Sequence, residues 1–187
     1  MQDLTGKTIF VTGASKGIGA AIATTLGDSG ANVIAHYKSD RAGVEKATAN
    51  IPEDRCLLIS ADLGITGEVD RLWREVLEWR GSIDVFVNNA AVMRVSGGIE
   101  ADDDAWDFVW KEALDVNVLA PVRLMRNAVR HYKKTGGGII ITMSSWAAQR
   151  GTGSPDLLAY AASKAAVMAA TKTIARHYSK ENVLVYV

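Results

Sequence analysis

The sequence predicts an α/β fold: one parallel sheet wound in two directions, with helices on both faces. Three observations lead there. Short β-branched runs alternate along the chain with longer segments of helical period. The β-branched runs are almost continuously apolar, as strands are when both faces of a sheet are covered. A glycine-rich turn joins the first run to the first helical segment, which is where a strand–turn–helix unit can hold a phosphate.

Each element follows from its own residues. KTIFVT (Lys7–Thr12) is a first strand, and the segment from Ile18 to about Gly30 is a helix stopped by glycine. NVIAHY is a second strand, Arg41–Asn50 a helix and CLLISA a third strand. Thr66–Arg80 carries Val69, Leu72, Trp73, Val76 and Leu77 at helical spacing. IDVFVNNA is a fourth strand and Asp103–Lys134 one long helix, opened by the acidic run EADDDAWD as aspartate cap and first turn. GIIITMSS is a fifth strand, Leu157–Ser179 a helix, and NVLVYV a sixth strand on which the chain stops. The expectation is a single Rossmann-like domain over residues 1–187.

Composition narrows the class of function. The 187 residues are 48% hydrophobic and 22% charged, enough apolar mass for one core. Basic and acidic residues balance at 21 each, which argues against nucleic-acid or membrane-surface binding. Cys56 is the only cysteine, and the N-terminal residues show no basic-then-apolar leader, so a cytoplasmic location is expected. His36, His131 and His177 do not cluster and read as surface or boundary residues; no metal site is expected.

In such a fold ligands bind beyond the carboxyl ends of the strands. After the first strand stands TGASKGIG (Thr12–Gly19), spaced G-x-x-x-G-x-G. Its glycines let backbone approach a pyrophosphate, and the helix start supplies free N–H groups. Gly13, Ser15, Lys16, Gly17, Ile18 and Gly19 are therefore candidate dinucleotide contacts. A tight turn that uses glycine only for packing is the plainer alternative. A cofactor without a 2′-phosphate calls for an acid at the end of the second strand. Tyr37 and Lys38 stand there instead, and the Lys38 and Lys16 ammonium groups suit the 2′-phosphate of NADP over NAD, with two solvated surface lysines as the plainer alternative. Asp40 lies further along and suits a helix cap.

AYAASKAAV (Ala159–Val167) puts a phenol and an ammonium group four residues apart in an alanine-rich helix. Residues i and i+4 are neighbours on one helix face. Free tyrosine is a poor acid at neutral pH, but an adjacent positive charge favours the phenolate. Tyr160 beside Lys164 can thus exchange a proton with a carbonyl or hydroxyl oxygen. Ser145, at the end of the fifth strand, offers a hydroxyl to the same oxygen. Pro121 lies four residues after Asn117 and cannot donate to its carbonyl, leaving either a freed carbonyl able to hold a water or an ordinary proline kink.

TGASKGIG, ADLGI, NNAAV, DVNVLAP, SSWAAQ and YAASK, in that order, resemble the motifs of the classical short-chain dehydrogenase/reductase family across essentially the whole chain. The resemblance implies that Asn117, Ser145, Tyr160 and Lys164 are the catalytic set and that Lys164 also holds the cofactor ribose. It implies that Asp62, with Leu63 beside it, meets adenine and that Asn89 and Ala90 pass the ribose. It implies a water joining the Asn117 carbonyl to Lys164, and a homodimer or homotetramer built on the two long helices, where Ala165, Ala166, Ala169 and Ala170 permit close approach. Three features depart from the family pattern: Ala91 replaces a glycine after NNA, Gly64 and Ile65 replace polar residues after Asp62, and fourteen residues separate Ser145 from Tyr160. The extra residues fall in RGTGSPDLL, near the expected substrate mouth. Family members continue past the sixth strand, so the C-terminal substrate segment is expected to be missing. The activity expected is an NADP(H)-dependent oxidoreductase acting on a small carbonyl/alcohol pair. Reduction of 3-oxoacyl thioesters is the narrower version, and a dinucleotide-binding protein without turnover is the alternative.

Overall fold

A computed structural model describes residues 2–95 and 98–187. The sheet has six strands: β1 (Thr8–Val11), β2 (Asn32–Tyr37), β3 (Cys56–Ser60), β4 (Val85–Asn88), β5 (Gly138–Thr142) and β6 (Val183–Tyr186). All pairings are parallel and the order is β3-β2-β1-β4-β5-β6. The order reverses between β1 and β4, so the chain leaves these two neighbours in opposite directions and opens a crevice beyond their carboxyl ends.

The period of two divides the strand residues between two cores. Phe10, Ile34, Phe86 and Ile140 face the helices α3 (Thr66–Arg80), α5 (Ala120–Thr135) and α7 (Leu158–Tyr178). Ile9, Val11, Val33 and Val87 face α1 (Gly17–Asp28) and α2 (Arg41–Thr48). Phe10 and Phe86 are opposite each other in the β1–β4 register, and their rings stack at 5.3 Å. Full burial of side chains of this size contributes about 1.5–3 kcal/mol each. The central strands are therefore held from both sides, and the loops at their ends project from a rigid base.

The expected long helix is present but not uniform. It runs as α4 (Asp103–Leu114), one π-helical turn over Asp115–Leu119, and α5, with Pro121 in the first turn of α5. The extra residue in the π turn accommodates the missing proline donor. Asp102 caps α4 by accepting from the Ala105 N–H at 2.8 Å, and Asp40 caps α2 by accepting from Gly43 N–H at 2.9 Å, as the sequence led us to expect. A short helix α6 (Ala147–Arg150), which the sequence did not suggest, follows β5. Among the described residues no helix is long and apolar enough to cross a membrane, and no three His, Cys, Asp or Glu side chains converge.

Candidate active site

The ends of β1 and β4 are knitted together by side chains. The Thr12 hydroxyl oxygen accepts from the N–H groups of Asn89 (3.0 Å) and Ala90 (3.1 Å). The Asn89 side-chain amide donates back to the carbonyls of Thr12 (2.9 Å) and Gly13 (3.1 Å). Two glycines are required by this closeness. A Cβ on Gly13, whose φ is +69°, would stand 2.9 Å from the Ala90 Cα. A Cβ on Gly19 would stand 2.0 Å from the Gly13 carbonyl oxygen. Lys16 forms the extended entry to α1, and no side chain caps that helix. Its first-turn N–H groups are left for a ligand, together with the positive end of the helix dipole.

A cavity of about 510 Å³ lies over these strand ends. Gly13, Ser15, Lys16, Ile18 and Gly19 line it from the first turn, Tyr37 and Lys38 from the end of β2, and Asp62 and Leu63 from the end of β3. Asn89 and Ala90 line it after β4, and Tyr160 and Lys164 close it from α7. Of the candidate residues only Gly17, Asn117 and Ser145 are absent from its wall. Ser144 and Met143 face it instead at the end of β5. The Ser145 hydroxyl oxygen accepts from the Ala147 N–H at 3.2 Å, at the entry to α6.

Asn117 acts through its side chain. It is 1% exposed. Its amide oxygen accepts from Val92 N–H (2.8 Å), and its amide nitrogen donates to the Val92 carbonyl (2.8 Å) and the Ser163 hydroxyl (3.0 Å). It therefore fixes the loop after β4 against the turn of α7 that carries Lys164.

Lys164 is 5% exposed. Its ammonium group donates to the Met143 carbonyl at 2.7 Å and lies 5.9 Å from the centroid of the Tyr160 ring. Among the described residues it forms no ion pair. Burial pushes its pKa down to about 8. At pH 7 it is still mostly charged, which is costly for a group held by one carbonyl.

At the other end of the cavity Lys38 is not a free surface lysine. Its ammonium group pairs with Asp62 at 2.8 Å. Partial burial raises the Asp62 carboxyl, but hydrogen bonds from Lys38 and the Gly64 N–H outweigh it and leave the carboxyl below its usual range. The reading of His36 as a surface or boundary residue is incorrect. Its ring is 2% exposed and lines the same cavity, because β2 buries both its faces. His131 is half-buried, its Nε2 accepting from the Ile83 N–H at 3.2 Å.

Residues 7–187 match the short chain dehydrogenase family. The chain belongs to that family. It is 35% identical to 3beta-hydroxysteroid dehydrogenase 1 of Eggerthella lenta, over 98% of this chain and 69% of that one. A short-chain dehydrogenase of Burkholderia cenocepacia, solved with NADP, superposes with a TM-score of 0.87 at 33% identity, covering 98% of this chain and 73% of that one. The 3-ketoacyl-(acyl-carrier-protein) reductase of Brucella melitensis, solved with NADH, gives 0.83 at 29% identity, covering 98% and 74%. The family is one of oxidoreductases. The two solved neighbours carry different cofactors, and the choice between them turns on this chain's own residues.

Proposed function

We propose that the protein is an NADP(H)-dependent oxidoreductase that interconverts a small carbonyl compound and its alcohol, with Tyr160 as general acid and base. The observation that carries this is Lys164: a buried ammonium group with no ion-pair partner among the described residues, beside Tyr160 in the wall of the cavity that the glycine turn opens. Stability alone disfavours such a charge, and sites that tolerate one are commonly functional.

The cavity suits a dinucleotide. The uncapped start of α1 would take the pyrophosphate, Asp62 and Leu63 the adenine end, and Asn89, Ala90 and Lys164 the ribose next to the nicotinamide. Lys16 and Lys38 favour a 2′-phosphate, while Asp40 is committed to capping α2. When bound, the nicotinamide supplies or accepts the hydride. The chain's own task is the proton. The Tyr160 hydroxyl gives its proton to the carbonyl oxygen as negative charge grows there, and takes one from the alcohol in the reverse direction. The Lys164 ammonium group stands beside the Tyr160 ring, 5.9 Å from its centroid. Ser145 is assigned the same oxygen as a hydrogen-bond donor. Asn117 keeps the loop after β4 and α7 in register, so that both ends of the constellation hold their places.

The test is oxidation of NADPH and of NADH by the parent protein over a panel of ketones, aldehydes and 3-oxoacyl thioesters. Tyr160→Phe should keep cofactor affinity and lose at least ~10²-fold in turnover, the loss typical of a general acid. Near-normal turnover in that variant on any accepted substrate would remove Tyr160 from the mechanism. The thioester arm distinguishes the narrower acyl-carrier-protein reductase activity from a broader carbonyl reductase.

A further inference from the structure

His36 sits next to the last residue of β2, where the ends of β1, β2 and β3 meet. Its ring touches two backbones. The Gly13 N–H donates to Nδ1 at 3.1 Å, and Nε2 lies 3.0 Å from the Ala61 carbonyl oxygen. Its own carbonyl accepts from the Ala14 N–H at 2.8 Å. One residue thereby holds the first two links of the glycine turn and the first residue after β3. Asp62 follows Ala61 just beyond β3 and Lys38 stands two residues after His36 just beyond β2, and the two form the ion pair that borders the cavity.

The partners determine the proton. A backbone N–H can only donate, so Nδ1 is bare. A carbonyl can only accept, so Nε2 carries the hydrogen. The neutral Nε2–H tautomer satisfies both, whereas the charged ring would turn an Nδ1–H toward the Gly13 N–H. Burial holds the ring neutral, its pKa pushed down to about 4 despite the Ala61 carbonyl and the Asp62 charge.

We propose that His36 is a positioning residue for the dinucleotide site: as the neutral Nε2–H tautomer it sets the glycine turn against the end of β3, and so fixes the spacing between the phosphate-binding N–H groups and Asp62. The assignment rests on the dinucleotide reading above. An apolar residue of similar size would leave the Gly13 N–H and the Ala61 carbonyl unpaired beside the cavity, free to take other geometries.

Three variants separate the two hydrogen bonds. Asparagine can put an amide oxygen where Nδ1 stands, but cannot reach Ala61. Glutamine can reach Ala61 but not Gly13, and leucine reaches neither. Dissociation constants for NADPH and NADH, measured by fluorescence on folded protein at neutral pH, should rise on the order of tenfold in His36→Leu and His36→Gln, the cost of one unpaired buried N–H. His36→Asn keeps the acceptor for Gly13 but loses the link to Ala61, so it should weaken binding by an intermediate factor, on the order of threefold. Folded leucine or glutamine variants that bind both cofactors as the parent does would overturn the proposal and leave the dinucleotide reading intact. A parent that binds neither cofactor would overturn both. Nitrogen NMR of the parent needs no variant to fold. A neutral Nε2–H ring at about pH 6, below the ordinary histidine value of ~6.5, supports the assignment, and a charged ring or the Nδ1–H tautomer overturns it.

Discussion

Replacing Lys164 with methionine should make the protein more stable and nearly inactive, and the gain should vanish in alkali. The ammonium group is buried against one carbonyl, and its pKa falls from 10.5 to about 8. At ~1.4 kcal/mol per decade this is a penalty of about 3 kcal/mol for keeping the charge in the folded state. Both values lie above 7, so the whole penalty is present at neutral pH. It fades as pH rises from about 8 toward 10.5, because the buried amine is then neutral while the unfolded one is still losing its proton. Methionine fills similar space and carries no charge, but leaves the Met143 carbonyl without its donor, a cost of about 1 kcal/mol that does not depend on pH. The net gain near pH 7 is about 2 kcal/mol, or a rise of roughly 4–8 °C in melting temperature for a chain of this size. Near pH 10 less than about 1 kcal/mol of the penalty is left, and the two proteins should be nearly equal. Urea denaturation of both proteins at the two pH values measures the difference, in which titrating groups that do not interact with Lys164 cancel. Turnover of the variant should fall at least ~10²-fold, as for loss of a preorganised charge. A stability gap that is the same at both pH values, or a methionine variant weaker than the parent at neutral pH, would refute the claim that Lys164 is a buried charge kept at the expense of stability.

Lys38→Asp removes the partner of Asp62 and a phosphate ligand together, so a cofactor titration should show the NADPH preference flattened or inverted; parent protein that binds NADH as well as NADPH would sink the preference itself. Gly19→Ala drives a Cβ to 2.0 Å from the Gly13 carbonyl oxygen; it should lower stability by about 1–3 kcal/mol and abolish cofactor binding, whereas a variant with parental affinity would show that the turn yields. The exposed Ala166 and Ala169 on α7, with Phe108 and Leu114 exposed on α4, are expected to meet a second copy of the chain; light scattering at micromolar concentration should give a dimer or tetramer, and a clean monomer would remove that reading.

The architecture was legible because burial on both faces leaves a simple trace: six short apolar runs separated by helical period, and six parallel strands in the structure. The caps at Asp40 and Asp102 were legible because a cap is a local bargain between one side chain and the N–H three residues on. The π turn was not, since Pro121 announces a break in the helix ladder but not how the backbone absorbs it. Most motif residues from Gly13 to Lys164 line the cavity, but Gly17, Asn117 and Ser145, which the motifs also name, do not. The wall was missed where the contact is made by backbone, as with the Met143 carbonyl, or by a side chain from a remote strand. His36 belongs to the second kind. A histidine in an apolar run reads as a boundary residue, and the partners that make it a buried one lie 23 and 25 positions away in sequence. The same holds for Lys38, whose pairing with Asp62 joins two strand ends that only the β2–β3 register brings together.

These missed contacts share a logic. Two groups proposed to touch a dinucleotide already have partners in the protein, Lys38 in Asp62 and Lys164 in the Met143 carbonyl, and beneath the turn the Gly13 N–H is held by His36. The first two contacts are made by lysine ammonium groups, so a ligand's oxygens would replace one charge-assisted contact with another. The His36 contact is different in kind. It is buried, neutral and made to backbone, so a ligand cannot take it over without opening the sheet end. The cavity therefore combines exchangeable contacts at the points proposed to grip a cofactor with a fixed one beneath the glycine turn. On the proposed function, affinity for a dinucleotide would be set by how well its phosphates and hydroxyls compete with Asp62 and the Met143 carbonyl, within a framework held by the hydrogen bonds of His36, Asn89 and Asn117.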